Sequence, residues 1–288
     1  MSPHKLDTPG SRRVNKLLQF ERKYGLFDVL IKGHRFWDYA RYSIYDQILF
    51  RRQDDPDIKG RGLLRYGFDL VTSLVKYFID RCRIRGTTYD IVVINTTDRR
   101  VNVNGKEVNG YVYPIVDALS STYKILLLDL FGNVGRNLYP CDLMRLRALH
   151  LFHSALSTVT TFCLKDINEL NGISEKLMNE FVLEIDGNIR RQYLRQVYSY
   201  RLYYGLFKKF SPKIVAFSDG GSSKGLINAA HDLGIETIDF QHSEITFQNI
   251  LYNYSSLDDD VEGLAIPRYV YTFGNYWNAE VRSPSKTV

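Results

Sequence analysis

KIVAFSDGGSSKGLINAAHDLGIETIDFQHSEI, residues 213–245, reads as strand, glycine turn, helix, strand, and then a loop that carries a histidine. Residues 214–217 form a short apolar run with a β-branched pair, bounded by Pro212 and by Asp219, Gly220 and Gly221, the pattern of a buried parallel strand. Ser222 or Ser223 can cap a helix whose apolar side is Leu226, Ile227, Ala230 and Leu233, and Gly234 stops it. Residues 235–240 are the second strand. A crossover of this length makes the two strands parallel neighbours in one sheet. Open α/β sheets take ligands at the carboxyl ends of their strands, so Asp219, the two glycines and His242 are expected on one edge.

Working outward, residues 90–95 (DIVVIN) and 124–130 (KILLLDL) read as further buried strands, and 267–273 (PRYVYTF) as one more. Residues 63–82 read as a helix with Leu64, Phe68, Val71, Leu74, Val75 and Phe78 inward; 111–121 reads as a helix too. Residues 142–160 read as helical, and 174–210 as one or two helices with a break at Gly187. Residues 96–110, rich in Asp, Asn and Gly, read as a long loop. The turn FGNVGRN lacks the full G-x-G-x-x-G nucleotide fingerprint. Residues 1–11 are expected to be disordered. Phe36, Trp37, Tyr39, Ala40, Ile44, Ile48 and Leu49 share one side of a helix that packs on the domain; the alternative is a basic-aromatic surface, with Arg35, Arg41, Arg51 and Arg52, that faces a membrane or an anionic acceptor. The pattern predicts an α/β protein: a Rossmann-like, mostly parallel sheet flanked by helices, with extra amino-terminal helices. Residues 1–50 are the extension and amphipathic helix, 51–266 the Rossmann-like domain, and 267–288 the start of a linker or second domain.

The chain of 288 residues is long enough for a real core. Its net charge of +6 fits an anionic substrate or surface, but no nucleic-acid-binding motif is present. Cys82, Cys141 and Cys163 form no C-x-x-C pair, which argues against a zinc site and for a reducing compartment. The polar first residues carry no signal-peptide pattern, and no apolar run reaches membrane-spanning length.

His242 is the sharpest chemical candidate, since an imidazole at a strand end can take a proton from a hydroxyl nucleophile near neutral pH. Glu244 or Asp219 would orient it. Asp219, Gly220 and Gly221 before a helix suit an anion or a hydroxyl, through free backbone N–H groups and the positive helix end; the plainer reading is a turn that needs Gly for positive φ. Asp98, Arg99 and Arg100 follow a strand and could recognise phosphate or sugar hydroxyls, or form a solvated loop. His150 and His153 stand three apart on a helix with no third metal ligand nearby in sequence. Nucleophile-elbow, Walker A and H-E-x-x-H patterns are absent.

Leu233-Gly234-Ile235, a strand and then Gln241-His242-Ser243 resemble the amino-terminal domain of bacterial GT-B glycosyltransferases of capsule and O-antigen synthesis, many of which carry Gln-His-Gly at this point. Pro267-Arg268-Tyr269 and Phe273-Gly274-Asn275-Tyr276-Trp277 are similar to that family's next strand and turn. The segment from Trp37 to Arg41, Asp98-Arg99-Arg100, Asn104-Gly105-Lys106 and Tyr113-Pro114 are similar to its start. The resemblance implies sugar transfer from a nucleotide-sugar donor to a hydroxyl of a glycan or lipid-linked acceptor, with His242 as base. With the strand-end reading above, Gln241, Glu244, Asp219, Gly220, Gly221, Asp98, Arg99 and Arg100 are expected at the substrate. Composition and motifs add the expectation of no metal, no cofactor besides the donor, no nucleic acid and a cytoplasmic protein, whose membrane contact, if any, is peripheral and at the inner face; the resemblance adds a donor-binding second domain, so the chain reads as a fragment or as a shortened protein that does not bind donor alone. Ser243 departs from the family's glycine. The alternative is a non-catalytic acceptor-binding or accessory protein of a glycan assembly complex; an epimerase-like enzyme is a third reading.

Overall fold

In a computed structural model of the chain, which describes residues 8–50, 63–84, 88–96, 99–131, 138–164, 167–221, 223–246, 248–257 and 263–288, the apolar runs pair into one sheet. Its strands are β1 (Ile91–Asn95), β2 (Ile125–Asp129), β3 (Asp142–Arg145), β4 (Ile214–Phe217), β5 (Glu236–Phe240), β6 (Tyr269–Tyr271) and β7 (Lys286–Thr287). All neighbours are parallel, in the order β3-β2-β1-β4-β5-β6-β7. This is the doubly wound, Rossmann-like order: the chain starts at the centre, winds to one edge, then returns and winds the other way. The switch of direction lies between β1 and β4. Register matches Ile91 with both Ile125 and Ile214, and Phe217 with Asp239.

Alternation along the central strands divides the core. Val92, Ile94, Leu126, Leu128, Val215 and Phe217 join one cluster with residues of α1 (Pro9–Tyr24), α2 (Phe36–Phe50), α3 (Leu63–Arg83), α6 (Asn168–Phe181), α7 (Gly187–Phe210) and α8 (Lys224–His231). Ile91, Val93, Ile125 and Leu127 meet Val112 and Val116 of α4 (Val112–Leu119) in a second. α5 (Arg147–Thr160) packs against α3 and α7. α7 and α8 approach so closely that a Cβ on Gly225 would lie 2.1 Å from the Gln196 carbonyl oxygen.

The amino-terminal helices belong to this same core. Thr8 caps α1 by accepting from the Ser11 amide, so helix replaces the expected disorder from Pro9 onward; residues 1–7 lie outside the described ones. α2 packs on the domain as expected, with Phe36, Trp37, Tyr39, Ala40 and Ile44 buried, and the alternative of a basic-aromatic outer surface does not hold. Arg41 is buried and clamps the equally buried Glu21, with Nε 2.6 Å from Oε1 and Nη2 3.0 Å from Oε2. Arg35 reaches the Phe27 carbonyl and Asp28; Arg51 and Arg52 lie outside the described residues. At the other terminus, the strands at 269–271 and 286–287 extend the same sheet.

Three further expectations change. Residues 142–145 form edge strand β3 rather than the first turn of a helix, paired in register with Leu126–Asp129. Residues 100–109 form an antiparallel hairpin, Arg100–Val103 against Lys106–Asn109. Its turn places Asn104 and Gly105 at positive φ, the combination a two-residue hairpin turn requires. α3 is rotated from the expected orientation. Ser73, Tyr77, Asp80 and Ile84 face inward, while Phe68, Val71, Val75 and Phe78 are exposed. The cause is polar: Asp80 accepts from the backbone N, Nε and Nη2 of Arg145, at 3.0, 2.8 and 2.8 Å, and that clamp fixes the face α3 shows to β3.

Candidate functional site

The switch point opens beyond the carboxyl ends of β1 and β4. Thr96, just after β1, donates its hydroxyl to the Ser218 carbonyl just after β4, stitching the two strand ends. Beneath them runs a buried polar chain. Asn109 Nδ2 donates to Asn95 Oδ1 at 2.8 Å, and Asn95 Nδ2 donates to Asp129 Oδ1 at 3.0 Å. Asn109 Oδ1 also accepts from the amides of Tyr111 and Val112, capping the entry to α4. The Tyr139 hydroxyl accepts from the Asn109 amide at 2.8 Å. This network sets where the hairpin and Tyr111 stand.

Tyr111 then reaches across the edge and donates its hydroxyl to the His242 carbonyl at 2.8 Å. Its ring lies edge-on to the imidazole at 6.3 Å. Arg99 donates to the Tyr111 hydroxyl and lies over its ring at 5.2 Å. Arg99 and His242, remote in sequence, therefore meet through Tyr111.

The second half of the edge is held by Asp239. Its Oδ1 accepts from the Asp219 amide, and its Oδ2 from the Gly220 amide and the Tyr252 hydroxyl, each at 3.1 Å. The backbone N–H groups expected to be free for a ligand anion at Asp219 and Gly220 are thus occupied by the protein's own carboxylate. Positive φ falls on Asp219, at 96°, not on either glycine. The glycines serve close approach: a Cβ at Gly220 would lie 2.7 Å from Asp239 Oδ2, and one at Gly221 would lie 1.9 Å from Leu251 Cδ2. Burial and the neighbouring Asp219 charge push the Asp239 carboxyl up to about 7, against the three hydrogen bonds that favour its ionised form. Ser223 precedes α8 without a side-chain cap bond; Ser222 lies outside the described residues.

His242 is partly buried, and its Nδ1 is enclosed with no hydrogen-bond partner among the described residues. Neither Glu244 nor Asp219 bonds to that nitrogen. Glu244 is exposed, its carbonyl accepting from Asn249. Gln241 is buried and locks β5 to β6: its amide donates to the Tyr271 carbonyl, its Oε1 accepts from the Phe273 amide, and its Nε2 donates to the Ser243 carbonyl. Those bonds aim the backbone after β5 and leave His242 at the rim. Arg100 sits on the exposed hairpin, 3.5 Å from Glu107. Asp98 lies outside the described residues.

Sequence reasoning did not assign Tyr111, Asn109, Asn95, Asp129, Asp239 or Tyr252 to the site. Asp239 carried a signal, an acid at an inward position of an alternating strand, in register with a buried phenylalanine. Tyr111 carried none beyond its place at the start of a helix. Among the described residues, no three His, Cys, Asp or Glu side chains come together as a metal-holding group. A cavity of about 500 Å³ lies elsewhere, lined by Arg13, Lys16, Gln47 and Glu180 among others, and it contains none of the edge residues. Comparison with family models, with curated proteins and with solved structures found no match to this chain.

Proposed function

We propose that this edge is the acceptor side of a glycosyltransferase, which moves a sugar from a nucleotide-sugar donor to a hydroxyl of a bacterial surface glycan. The observation that carries the reading is His242, an imidazole at the switch-point rim whose Nδ1 has no partner among the described residues. The acceptor hydroxyl would give its proton to the imidazole as its oxygen attacks the anomeric carbon of the donor. The bond from that carbon to phosphate oxygen would break, and the nucleoside phosphate would leave. Arg99, held by Tyr111, offers a cation to anionic groups of either substrate. The occupied amides of Asp219 and Gly220 favour an acceptor over a phosphate at that turn.

The test is transfer from a panel of nucleotide sugars to short glycans and lipid-linked acceptors, in the native polypeptide that carries these residues. His242→Ala should lower the rate by about 10²- to 10⁴-fold, the usual range for loss of a general base, with acceptor affinity largely kept. An unchanged rate sinks the proposal. Glycan binding without transfer in the wild type would point instead to an accessory, acceptor-holding protein.

A further inference from the structure

α3 presents two opposite faces. At about 100° per residue, Ser73, Tyr77, Asp80 and Ile84 share the buried side. Phe68, Val71, Val75, Phe78, Ile79 and Cys82 fall within an arc of about 100° on the far side. That far side faces outward: Phe68 is 69% exposed, Val71 60%, Val75 55% and Phe78 56%. The stripe runs for about 21 Å along the helix. The neighbouring α5 also exposes Phe152 and Val159, and the turn after it exposes Phe162. Scattered exposed apolar residues are ordinary, but an aligned helical stripe is not.

The charges on α3 select what can cover this stripe. Both acids among its described side chains are turned to partners within the fold: Asp80 is buried against Arg145, and Asp69 lies 3.5 Å from Arg147. The exposed charges that remain, Lys76, Arg81 and Arg83, are all cationic. An exposed apolar stripe with cations beside it is the pattern of a helix lying in the interface of an anionic bilayer. A second copy fits poorly, because two-fold apposition of α3 on itself would bring these like charges together. Among the described residues no helix is long and apolar enough to cross a membrane, so the helix would lie on the surface.

We infer that α3 docks this protein on an anionic lipid surface through Phe68, Val71, Val75 and Phe78, with Lys76 and Arg83 meeting the headgroups. The alternative of membrane contact through α2 is closed by its buried Arg41, and α3 takes that role. The inference does not rest on the transfer reading: retained transfer in His242→Ala would leave it standing, and loss of vesicle binding would leave transfer to soluble acceptors untouched.

The experiment is co-sedimentation of the full chain with phosphatidylcholine vesicles, with and without phosphatidylglycerol, at low and high salt. Phe68→Ser/Phe78→Ser and Lys76→Glu/Arg83→Glu are compared with the wild type, and thermal melts confirm that each is folded. Binding should need phosphatidylglycerol and weaken with salt, and each double variant should reduce it roughly tenfold or more. Absence of wild-type binding to the anionic vesicles, or equal binding by both variants, overturns the inference. So does a wild-type dimer in sedimentation equilibrium that Phe68→Ser/Phe78→Ser converts to monomer, which would assign the stripe to a second copy.

Discussion

Asp239 shows how one residue can hold a site and tie it to pH. Three donors converge on it, yet it sits fully buried beside a second acid, and these last two effects dominate. A carboxyl raised from its ordinary 3.8 to about 7 binds its proton more tightly in the folded state. Its contribution to stability is therefore fully present below about pH 4 and is lost as pH rises through about 7. His153 and His231, which burial pulls down, add a slope of opposite sign below neutrality, so the difference between wild type and variant is the proper readout. In melts from pH 4 to 8, the stability of the wild type relative to Asp239→Asn should fall across that window and level off above it. A constant difference would mean that Asp239 does not titrate there. At this scale the sequence was half legible. His242 announced itself as a polar residue leaving a strand, because strand ends are readable. Asp239 and Tyr111 did not, because their roles depend on partners 20 and 131 residues away.

Among the elements, legibility followed length and apolarity. β1, β2, β4 and β5 are short, branched and bounded by turns, so their pattern suffices. β3 was hidden because Asp142–Arg145 runs into α5 with no break in apolar spacing, and only pairing with β2 makes it a strand. β7 is two residues of edge strand with no apolar signal. The hairpin was legible in principle from Asn104-Gly105 between alternating residues. The face of α3 was not legible, since the Asp80–Arg145 clamp outweighs the more apolar arc. The contact between α7 and α8 supports a sharp test. A methyl at Gly225 would meet backbone, Gln196 O at 2.1 Å and Tyr200 N at 2.7 Å, which cannot rotate aside. Gly225→Ala should lose about 3 kcal/mol in urea unfolding as the helices part. Gly205→Ala, on α7 with open space around it, should gain up to about 1 kcal/mol. Equal effects would show that α7 and α8 are not in this close contact.

For the whole molecule, the doubly wound order brings His242, Tyr111 and Asp219 to one edge, and the amino-terminal helices hold that edge from behind. The link is the buried Glu21–Arg41 pair. Glu21 on α1 also accepts from Trp37 Nε1 and from the Ser256 hydroxyl, at 2.8 and 2.6 Å. Arg41 on α2 donates to the carbonyls of Ile250 and Asn253, at 2.7 and 2.8 Å. Those carbonyls belong to the turn that seats Leu251 against Gly221 and Tyr252 on Asp239. Removing one partner leaves a buried charge without its counter-ion. Arg41→Met should thus lower the unfolding free energy by about 3–5 kcal/mol. Glu21→Leu/Arg41→Met, which removes both charges, should lose clearly less. Because the turn carries Tyr252, the single variant should also weaken the hydrogen bond that favours the Asp239 carboxylate, raising the pH at which Asp239 titrates. Urea titrations of the two variants, repeated at pH 5 and pH 8, test both consequences. An Arg41→Met midpoint equal to the wild type's would mean that the pair contributes nothing. An unchanged pH response in a destabilised Arg41→Met would mean that the helices stabilise the fold without supporting the edge.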